Sequence, residues 1–527
     1  MVMKKPTVTP NMIDKAVMFV APQWGMSRIQ SRMKYEALSM GGYIGADTSR
    51  RSMRSANTTI GSSDTDDLPS LEKLRAIARD MYRNAPIVHG AGDTIRFNVI
   101  GSGLTVQSDI DREFLGMDEE AARKWEQNAE RLFRFWADSE SSDAERTSNF
   151  YELQTIALMG ALISGDIFAA LPYVKREGTP FSLIVQLIEA DRCSNPNSSM
   201  DTDKIAGGVE VDALGAPTHY HFTKYHPGGL RLSNEWKRIP AFGNSGRRNI
   251  LHVYEKLRPG QKRGVSILAP IIEPLKQFTD YTHAELTAAV VSGLFTVFIE
   301  SESGGVNLDM EDENGGSGSN VDADELNLSA GAILGLAPGE KVTTANPNRP
   351  NTAFDPFTQA ILKQIGAALN IPFEVLMKHF SASYSASRAA LLEAWKMFRS
   401  RRTWFSKKFC QPIYEAVLTE AVLIGRLDAP GFLEDPMVRR AYCQASWKGP
   451  AQGQLNPVNE TKAADMRVES GYSTRAAEAA EMNGSDFDQN IKRATVETRQ
   501  MKESGLFEMK YTTASIEQAK IDQGNEQ

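Results

Sequence analysis

Two long apolar helical stripes, separated by an acidic and glycine-rich stretch, constrain this chain more than any other feature of its sequence. Leu268, Ile271, Leu275, Phe278, Leu286, Ala289, Gly293 and Val297 recur mostly three or four residues apart, with Pro270 where an early helical turn tolerates it. The spacing predicts a helix from about Ala269 to Ile299, roughly 45 Å long at about 1.5 Å per residue. Such a rod is long for a compact domain. Residues 301–325 then carry eight Asp or Glu and no Lys or Arg around GGSGSN, a composition that buries too little surface to order itself and reads as a solvated loop at a tip. After the strand-like GAILGLAPGEKV, a second helix starts at Asp355-Pro356, a side-chain cap followed by proline. Phe357, Ile361, Ile365, Ala368 and Leu369 line one face of it, and Pro372 ends it.

The rest of the chain is of mixed type. At 527 residues it exceeds the size at which one hydrophobic core keeps growing, so several packed regions are expected. Residues 44–68 are rich in Ser, Thr, Asp and Arg and read as a loop or arm. In LPSLEKLRAIARDMYRNAP, Leu71, Leu74, Ile77, Ala78 and Met81 mark a helix stopped before Pro86. IRFNVIGSGLTV, from Ile95 to Val106, reads as extended chain broken by a Gly-Ser-Gly turn, and AARKWEQNAERLFRFWAD as an amphipathic helix. FAALPYV, SLIVQLIEA, GGVEVD and PTHYHFTKY read as short strands of an α+β region ending near Lys262. A third long helix is expected from about Ser387 to Ile424, with Leu391, Trp395, Phe398, Phe405, Phe409, Ile413 and Val417 on one face and a bend at Pro412. Beyond Gly449 the chain turns polar and Ala-Glu-rich, with a helix after Asn456-Pro457 and fraying from about Tyr511.

Composition excludes several functions. Lys and Arg number 59 against 66 Asp and Glu, a net charge of −7, so any DNA contact must be local or weak. Cys193, Cys410 and Cys443 lie far apart without CxxC spacing, against a zinc site or a disulfide framework and in keeping with a reducing cytoplasm. Asp14 and Lys15 interrupt any export-signal core near the N-terminus, and the 14-residue run Leu286–Ile299 is short for a bilayer, so no membrane role is expected.

No catalytic constellation is apparent, and neither a cofactor nor a metal is expected. There is no GxxxxGK[ST] loop to cradle nucleotide phosphates; GEKVTT at 339–344 resembles one only superficially. Gly101-Ser102-Gly103 lacks the third glycine of a dinucleotide site and suits a β-turn, and no GxSxG elbow is present. His219, His221 and His226 come nearest to a metal cluster, but without Cys, Asp or Glu at matching spacing they read better as ordinary strand residues. Lys396, Arg399, Arg401, Arg402, Lys407 and Lys408 form the strongest basic patch, either a salt-bridged subunit surface or a DNA-facing collar. The aromatic stripe with Trp395, Phe398 and Phe405 is read as subunit packing.

RDMYRNAP (79–86), NVIGSGL (98–104), GDIFAALP (165–172), VQLIEADRC (185–193), RGVSILAPIIEPLKQFTDYTHAEL (263–286), LAPGEKV (336–342), LNIPFEVL (369–376), SYSASRAALLEAWKMFRSRR (383–402), WKGP and NPVNETKAA run in one order along the chain. Their ordered combination resembles the lambda-type portal proteins of tailed phages. The resemblance implies a mainly helical α+β fold assembled as a ring, expected to be a dodecamer, around a DNA channel. It divides the chain into an N-terminal arm (1–68), an α+β wing (69–262) and a first stem helix (263–300). A clip with the acidic loop (301–354), a second stem helix (355–372), a tunnel loop (373–388), a long kinked wing and crown helix region (389–450) and a crown with polar tail (451–527) follow. It places Lys378, His379, Ser381, Ser383, Tyr384, Ser385 and Arg388 on the channel, and Asp309, Glu311, Asp312 and Glu313 where partners dock. The implied partners are further copies of the chain, double-stranded DNA held weakly and without sequence preference, the terminase large subunit, the major capsid or scaffold protein and head-completion adaptors. The implied location is the portal vertex of the virion, after assembly in the host cytoplasm; relatives can lose an N-terminal piece on maturation. The long acidic stretch and the serine-rich SASYSAS depart from the family. A different head-tail connector ring is the nearest alternative, and a capsid maturation protease would need a Ser-Lys or Ser-His constellation.

Overall fold

The computed structural model describes residues 12–39, 51–231, 235–293, 297–301, 340–344, 354–380, 383–453 and 456–504. The chain divides into two units, residues 1–62 and 63–527. In the first, helices Met12–Val20 and Pro22–Ser39 pack together, with the buried Asp14 carboxylate 3.1 Å from Arg28 Nε. Gly25 makes that approach possible, since a Cβ there would meet Met18 at 2.2 Å.

The second unit opens with helix Ser63–Asn84, so the loop expected to run to residue 68 ends six residues earlier. Ser63 donates to Asp67, and Pro69 sits inside the helix, in its second turn, where its missing N–H removes one rung of the backbone ladder. The stretch from Ile95 is not extended as expected. Pro86 starts a helix that runs to Val99, burying Val88, Ala91, Ile95 and Val99 at helical spacing; only Gly101 and Gly103, both at positive φ, turn the chain into strand Thr105–Ser108. Helix Phe150–Ile163 was not anticipated, although Asn149 and Glu152 form a reciprocal capping box at its start.

The core gathers around helices Glu119–Ala137 and Phe150–Ile163 and the long helix from Tyr384. Phe133 meets Phe150 and Tyr414 edge-on, with centroids 5.6 and 5.2 Å apart, and Phe150 stacks on Phe409 at 5.9 Å. Trp136 donates to the Leu183 carbonyl at 2.9 Å. Two antiparallel sheets lie beside this core. One orders Gln186–Glu189, Asp166–Ala170 and Ile250–Tyr254; the other orders Ile205–Ala206, Val209–Val211, Pro217–Thr223 and Trp236–Pro240. Phe168 on the first touches Tyr220 and Phe222 on the second.

The long helix does not bend simply at Pro412. Tyr384–Phe405 passes into a wide π turn at Ser406–Cys410 and resumes as Gln411–Leu423. Pro412 cannot donate a backbone hydrogen bond, and the wide turn is where the ladder adapts. Beyond it, the Glu420 carboxylate accepts from the backbone amides of Ser182 and Leu183 at 2.6 and 2.9 Å.

The rod predicted from Ala269 to Ile299 is shorter. A 3-10 turn, Ala269–Ile271, leads into helix Ile272–Gly293, and Val297–Ser301 is instead a strand paired antiparallel with Glu340–Thr344. The partner helix, Phe354–Leu369, buries Thr358, Leu362, Ile365, Gly366 and Leu369, so its inner face is turned from the expected one and leaves Phe357 and Ala368 exposed. Phe357 turns instead to Tyr281 on the facing helix, 5.0 Å between ring centroids.

Helices Pro457–Glu469, Arg475–Asn483 and Phe487–Glu503 complete the described chain. Among them only Ala464 and Glu478 are buried, and the fraying expected from Tyr511 lies outside the described residues.

Candidate functional site

The link between helix Phe354–Leu369 and the long helix is built by two successive left-handed turns. Asn370, at φ 56°, lets the Ile371 amide reach back to the Gly366 carbonyl (2.8 Å) and the Asn370 amide to that of Ala367 (3.2 Å). Gly366 is required, because a Cβ there would lie 2.6 Å from the Ile371 carbonyl oxygen. A short helix, Phe373–Leu376, follows, anchored by buried Val375 and Leu376. Lys378, at φ 53°, then closes it, with the His379 amide on the Glu374 carbonyl at 3.0 Å.

The result is an exposed segment on a fixed base. Met377, Lys378, His379 and Phe380 all face solvent, as do Ser383, Tyr384 and Ser385, while Ser381 lies outside the described residues. The expected loop is shorter than drawn, because the long helix starts at Tyr384 and not near Ser387. Ser383 caps it, its hydroxyl accepting from the Ala386 amide at 3.4 Å and lying 3.2 Å from that of Ser385. Arg388 is half-buried, its guanidinium 3.8 Å from Glu460.

The basic patch separates into different environments. Arg402 is bound into the fold, donating to the carbonyls of Val99 (3.0 Å), Asn98 (2.8 Å) and Pro450 (2.8 Å) while lying over Trp395; burial lowers it to about 10. It is therefore not a collar residue. Arg399 pairs with Glu481 at 3.3 Å and Lys396 with Glu393 at 2.6 Å, both exposed, whereas Arg401 points inward beside Glu255. Trp395, Phe398 and Phe405 are buried in the chain's own core, which corrects their reading as subunit packing: their stripe faces helices of the same subunit.

Strands Val297–Ser301 and Glu340–Thr344, which lie between the two helices in sequence, pair antiparallel, while Asp309, Glu311, Asp312 and Glu313 lie outside the described residues. Leu286 and Val290 leave the outer face of helix Ile272–Gly293 apolar and exposed. The histidine trio is held by carboxylates. Glu210 accepts from Arg238 at 2.9 Å and lies 3.2 Å from His221, and the Arg238 bond brings its carboxyl down to about 2. His226 stands 3.3 Å from Glu189. No group of three metal-ligating side chains occurs among the described residues.

Sequence reasoning missed a buried charge cluster centred on Asp166. One carboxylate oxygen accepts from Arg75 (2.8 Å) and the other from Arg263 Nε (2.6 Å), the Gly264 amide (3.2 Å) and His252 (3.1 Å). Arg263 also donates to the carbonyls of Ala190, Cys193 and Gly207, knitting both sheets to helix Ser63–Asn84. Burial pushes the Asp166 carboxyl up, but Arg263 and Arg75 outweigh it and hold it well below the usual range. Burial brings His252 down to about 4 and keeps it neutral. An Asp heading the apolar run DIFAALP was the one available signal.

Helix Glu119–Ala137 carries two further strained carboxylates. Glu126 accepts from the Ile110 amide at 2.9 Å and Glu130 from the Ser108 amide at 3.0 Å. Burial pushes both up, Glu130 to about 7 against the help of that amide.

Residues 49–402 match the family model described as "Phage portal protein, lambda family". Portal protein B of Escherichia phage lambda is 24% identical over 485 residues, 88% of this chain and 90% of that protein. The portal protein of Escherichia phage N15 is 24% identical over 498 residues, 90% of this chain and 93% of that protein. A chain from the neck of a native gene transfer agent particle is 14% identical, covers 79% of this chain and 94% of that one, and superposes with a TM-score of 0.42.

Proposed function

The chain belongs to the lambda family of phage portal proteins, and from that membership we propose how its parts share the work of the head-tail connector channel at the virion's portal vertex. The single observation that carries the reading is the reach of the family match. It spans the α+β region, the helix pair with its strand hairpin, and the whole exposed segment after Pro372.

The α+β region to about residue 262 serves as the wing, and helices Ile272–Gly293 and Phe354–Leu369 as the stem. The hairpin and the acidic stretch beyond it form the clip, outside the head, where the terminase large subunit and later the adaptor proteins dock. Helices after Asn456 form the crown, towards the packaged DNA. Subunits close into a ring, expected to be a dodecamer, built in the host cytoplasm together with capsid or scaffold protein. The role is structural, with no chemistry of its own.

Lys378, His379, Ser383, Tyr384 and Ser385 touch DNA in passing, through hydroxyls, one aromatic ring and a cation on a segment anchored by Val375 and Leu376. Such contacts hold a phosphate briefly and read no bases. A net charge of −7 suits a conduit, since a uniformly basic bore would retain a polymer with one charge per about 1.7 Å of axis. The test is cryo-electron microscopy of the purified chain with Lys378→Ala/His379→Ala beside wild type. Rings with residues 377–385 on the channel wall, and a variant that forms rings but packages or retains DNA differently, are expected. Placement of that segment on the outer rim, or unchanged packaging and retention in the variant, would remove it from the mechanism.

A further inference from the structure

Helices Glu119–Ala137 and Phe487–Glu503 share a groove whose anions and cations are unevenly satisfied. One recess in it, of about 770 Å³, is lined by Arg134 from the first helix, by Lys492 and Arg493 from the second, and by Lys448 and Asp486. A smaller recess of about 180 Å³ shares Arg134, Gln489 and Lys492 with it and adds Arg131. The carboxylates along the groove are all engaged. Asp486 pairs with Lys448 at 2.9 Å and Asp488 with Arg123 at 2.7 Å, while Glu126 and Glu130 accept from the amides of Ile110 and Ser108. The remaining cations are not engaged. Arg131, Arg134, Lys492 and Arg493 are exposed, and among the described residues none of them makes an ion pair.

The four cations follow one another along the groove. Gln489, Lys492 and Arg493 share one face of their helix, Arg131 and Arg134 are neighbours on the other, and residues so spaced stand about 5 to 6 Å apart. That is close to the separation of successive phosphates along a nucleic-acid strand. Gln489 adds an amide donor and Thr105 a hydroxyl, groups that suit phosphate oxygens and read no base. We propose that this groove is a second contact for duplex DNA, holding the phosphate backbone of one strand without sequence preference. The choice of duplex DNA rests on the portal reading above, and no residue of the groove belongs to the segment 377–385. The succession of cations along an open groove, rather than their sum, points to this occupant, because a single carboxylate would leave most of them unmatched. Exposed, projecting side chains also suit the convex surface of a duplex. A bound strand would bridge the two helices and tie down helix Phe487–Glu503, which buries no residue of its own.

The test uses the full chain, a short labelled duplex, and the variants Lys492→Ala/Arg493→Ala and Arg134→Ala, with Lys378→Ala/His379→Ala for comparison. Fluorescence anisotropy over a range of salt concentrations reads affinity, and hydrogen–deuterium exchange reads residues 487–503. Wild type should take up less deuterium there when duplex is added. Lys492→Ala/Arg493→Ala should bind at least about tenfold more weakly, with a shallower fall of affinity against salt. If that pair unsettles its own helix, seen as faster exchange without DNA, Arg134→Ala on the well-packed helix decides by the same weakening. Affinity and salt dependence unchanged in both variants overturn the proposal. Weakening confined to Lys378→Ala/His379→Ala overturns it too and leaves the portal reading standing, whereas wild-type chains that form no ring and bind no duplex sink that reading as well. Protection of 487–503 by inorganic phosphate, with duplex affinity untouched by the substitutions, would make the groove a site for free anions. Slow exchange there that ignores duplex and is lost on deleting residues 304–320 would assign the groove to the acidic stretch. Either result overturns the proposal.

Discussion

Helix Glu119–Ala137 is held on its two sides by different physics. Its inner face sets Phe133 and Trp136 into an aromatic core whose members are fully buried, next to sheets tied together by the Asp166 cluster. Its outer face meets the C-terminal helices through charge: Arg123 on Asp488 at 2.7 Å, with Lys448 on Asp486 at 2.9 Å beside it. Helix Phe487–Glu503 buries no residue at all. Burial sets how much each charge matters, since a pair that has lost its water cannot be broken cheaply, whereas an exposed pair exchanges its partner for solvent. The wing should therefore behave as one cooperative body, and the C-terminal helices as a part that salt can loosen.

The largest effect is expected at Asp166. Asp166→Ala leaves Arg75 and Arg263 buried without their anion and should cost about 3 to 5 kcal/mol, read by urea unfolding followed at the aromatic residues. Its pH dependence has a definite sign. Asp166 has a depressed carboxyl, so its contribution is present above the unfolded value and is lost as pH falls through the folded one. His252, lowered from 6.5 to about 4, works in the same direction, its stabilisation complete above 6.5 and declining as pH falls towards 4. A cost below about 1 kcal/mol would erase the contrast, because the wing's charges would then be as dispensable as surface ones.

A smaller change is expected where the two regions meet. Glu130 is raised from 4.5 to about 7, so the fold favours its protonated form, and this stabilisation is lost as pH rises from 4.5 through 7. Glu130→Gln keeps an acceptor for the Ser108 amide without the charge. It should gain about 1 to 2 kcal/mol above neutral pH and flatten the pH profile there. A variant less stable than wild type at alkaline pH would show that the carboxylate itself, through Lys448, holds the junction.

Smallest in global terms is Arg123→Ala/Lys448→Ala. It should shift unfolding by no more than about 1 kcal/mol while clearly raising deuterium uptake across 487–503, an effect that added salt should mimic in wild type. Global unfolding several kcal/mol easier would mean that the C-terminal helices belong to the same cooperative body as the wing.

What could be read in the sequence divides along similar lines. The stripe Trp395, Phe398, Phe405, Phe409, Ile413 and Val417 was legible because one helix carries its whole pattern, and the pattern survives whatever covers it. Whether a neighbour or the same chain covers it was not legible, and here it is the same chain. Arg402 looked like surface charge because its three acceptors are backbone carbonyls brought from Asn98, Val99 and Pro450, which no side-chain pattern records. The Asp166 cluster was hidden for a related reason, its partners being scattered among Arg75, His252 and Arg263. The extended reading at Ile95 gave too much weight to β-branched residues and to the Gly-Ser-Gly turn, and too little to Val88, Ala91, Ile95 and Val99 recurring at helical spacing. The segment 373–388 was located by its stop at Pro372, but its inner short helix depends on left-handed Asn370 and Lys378, a backbone choice that composition does not announce.

The wide turn at Ser406–Cys410 sets the phase of everything after it. Before it, Trp395, Phe398 and Phe405 are buried with half-buried Arg402 between them; from Phe409 inside the turn, the buried face continues in steps of four through Ile413 and Val417. A plain α-helix would let steps of four creep around its axis by about 40° each, and the slower winding of the wide turn takes up part of that creep. Removing one residue from it would leave every local propensity intact and still swing the helix beyond by about 100°. Glu420 would then leave the amides of Ser182 and Leu183, and a lesion at one position would be felt as an unlatched sheet some distance away. In this part of the chain, the fold depends on length more than on identity.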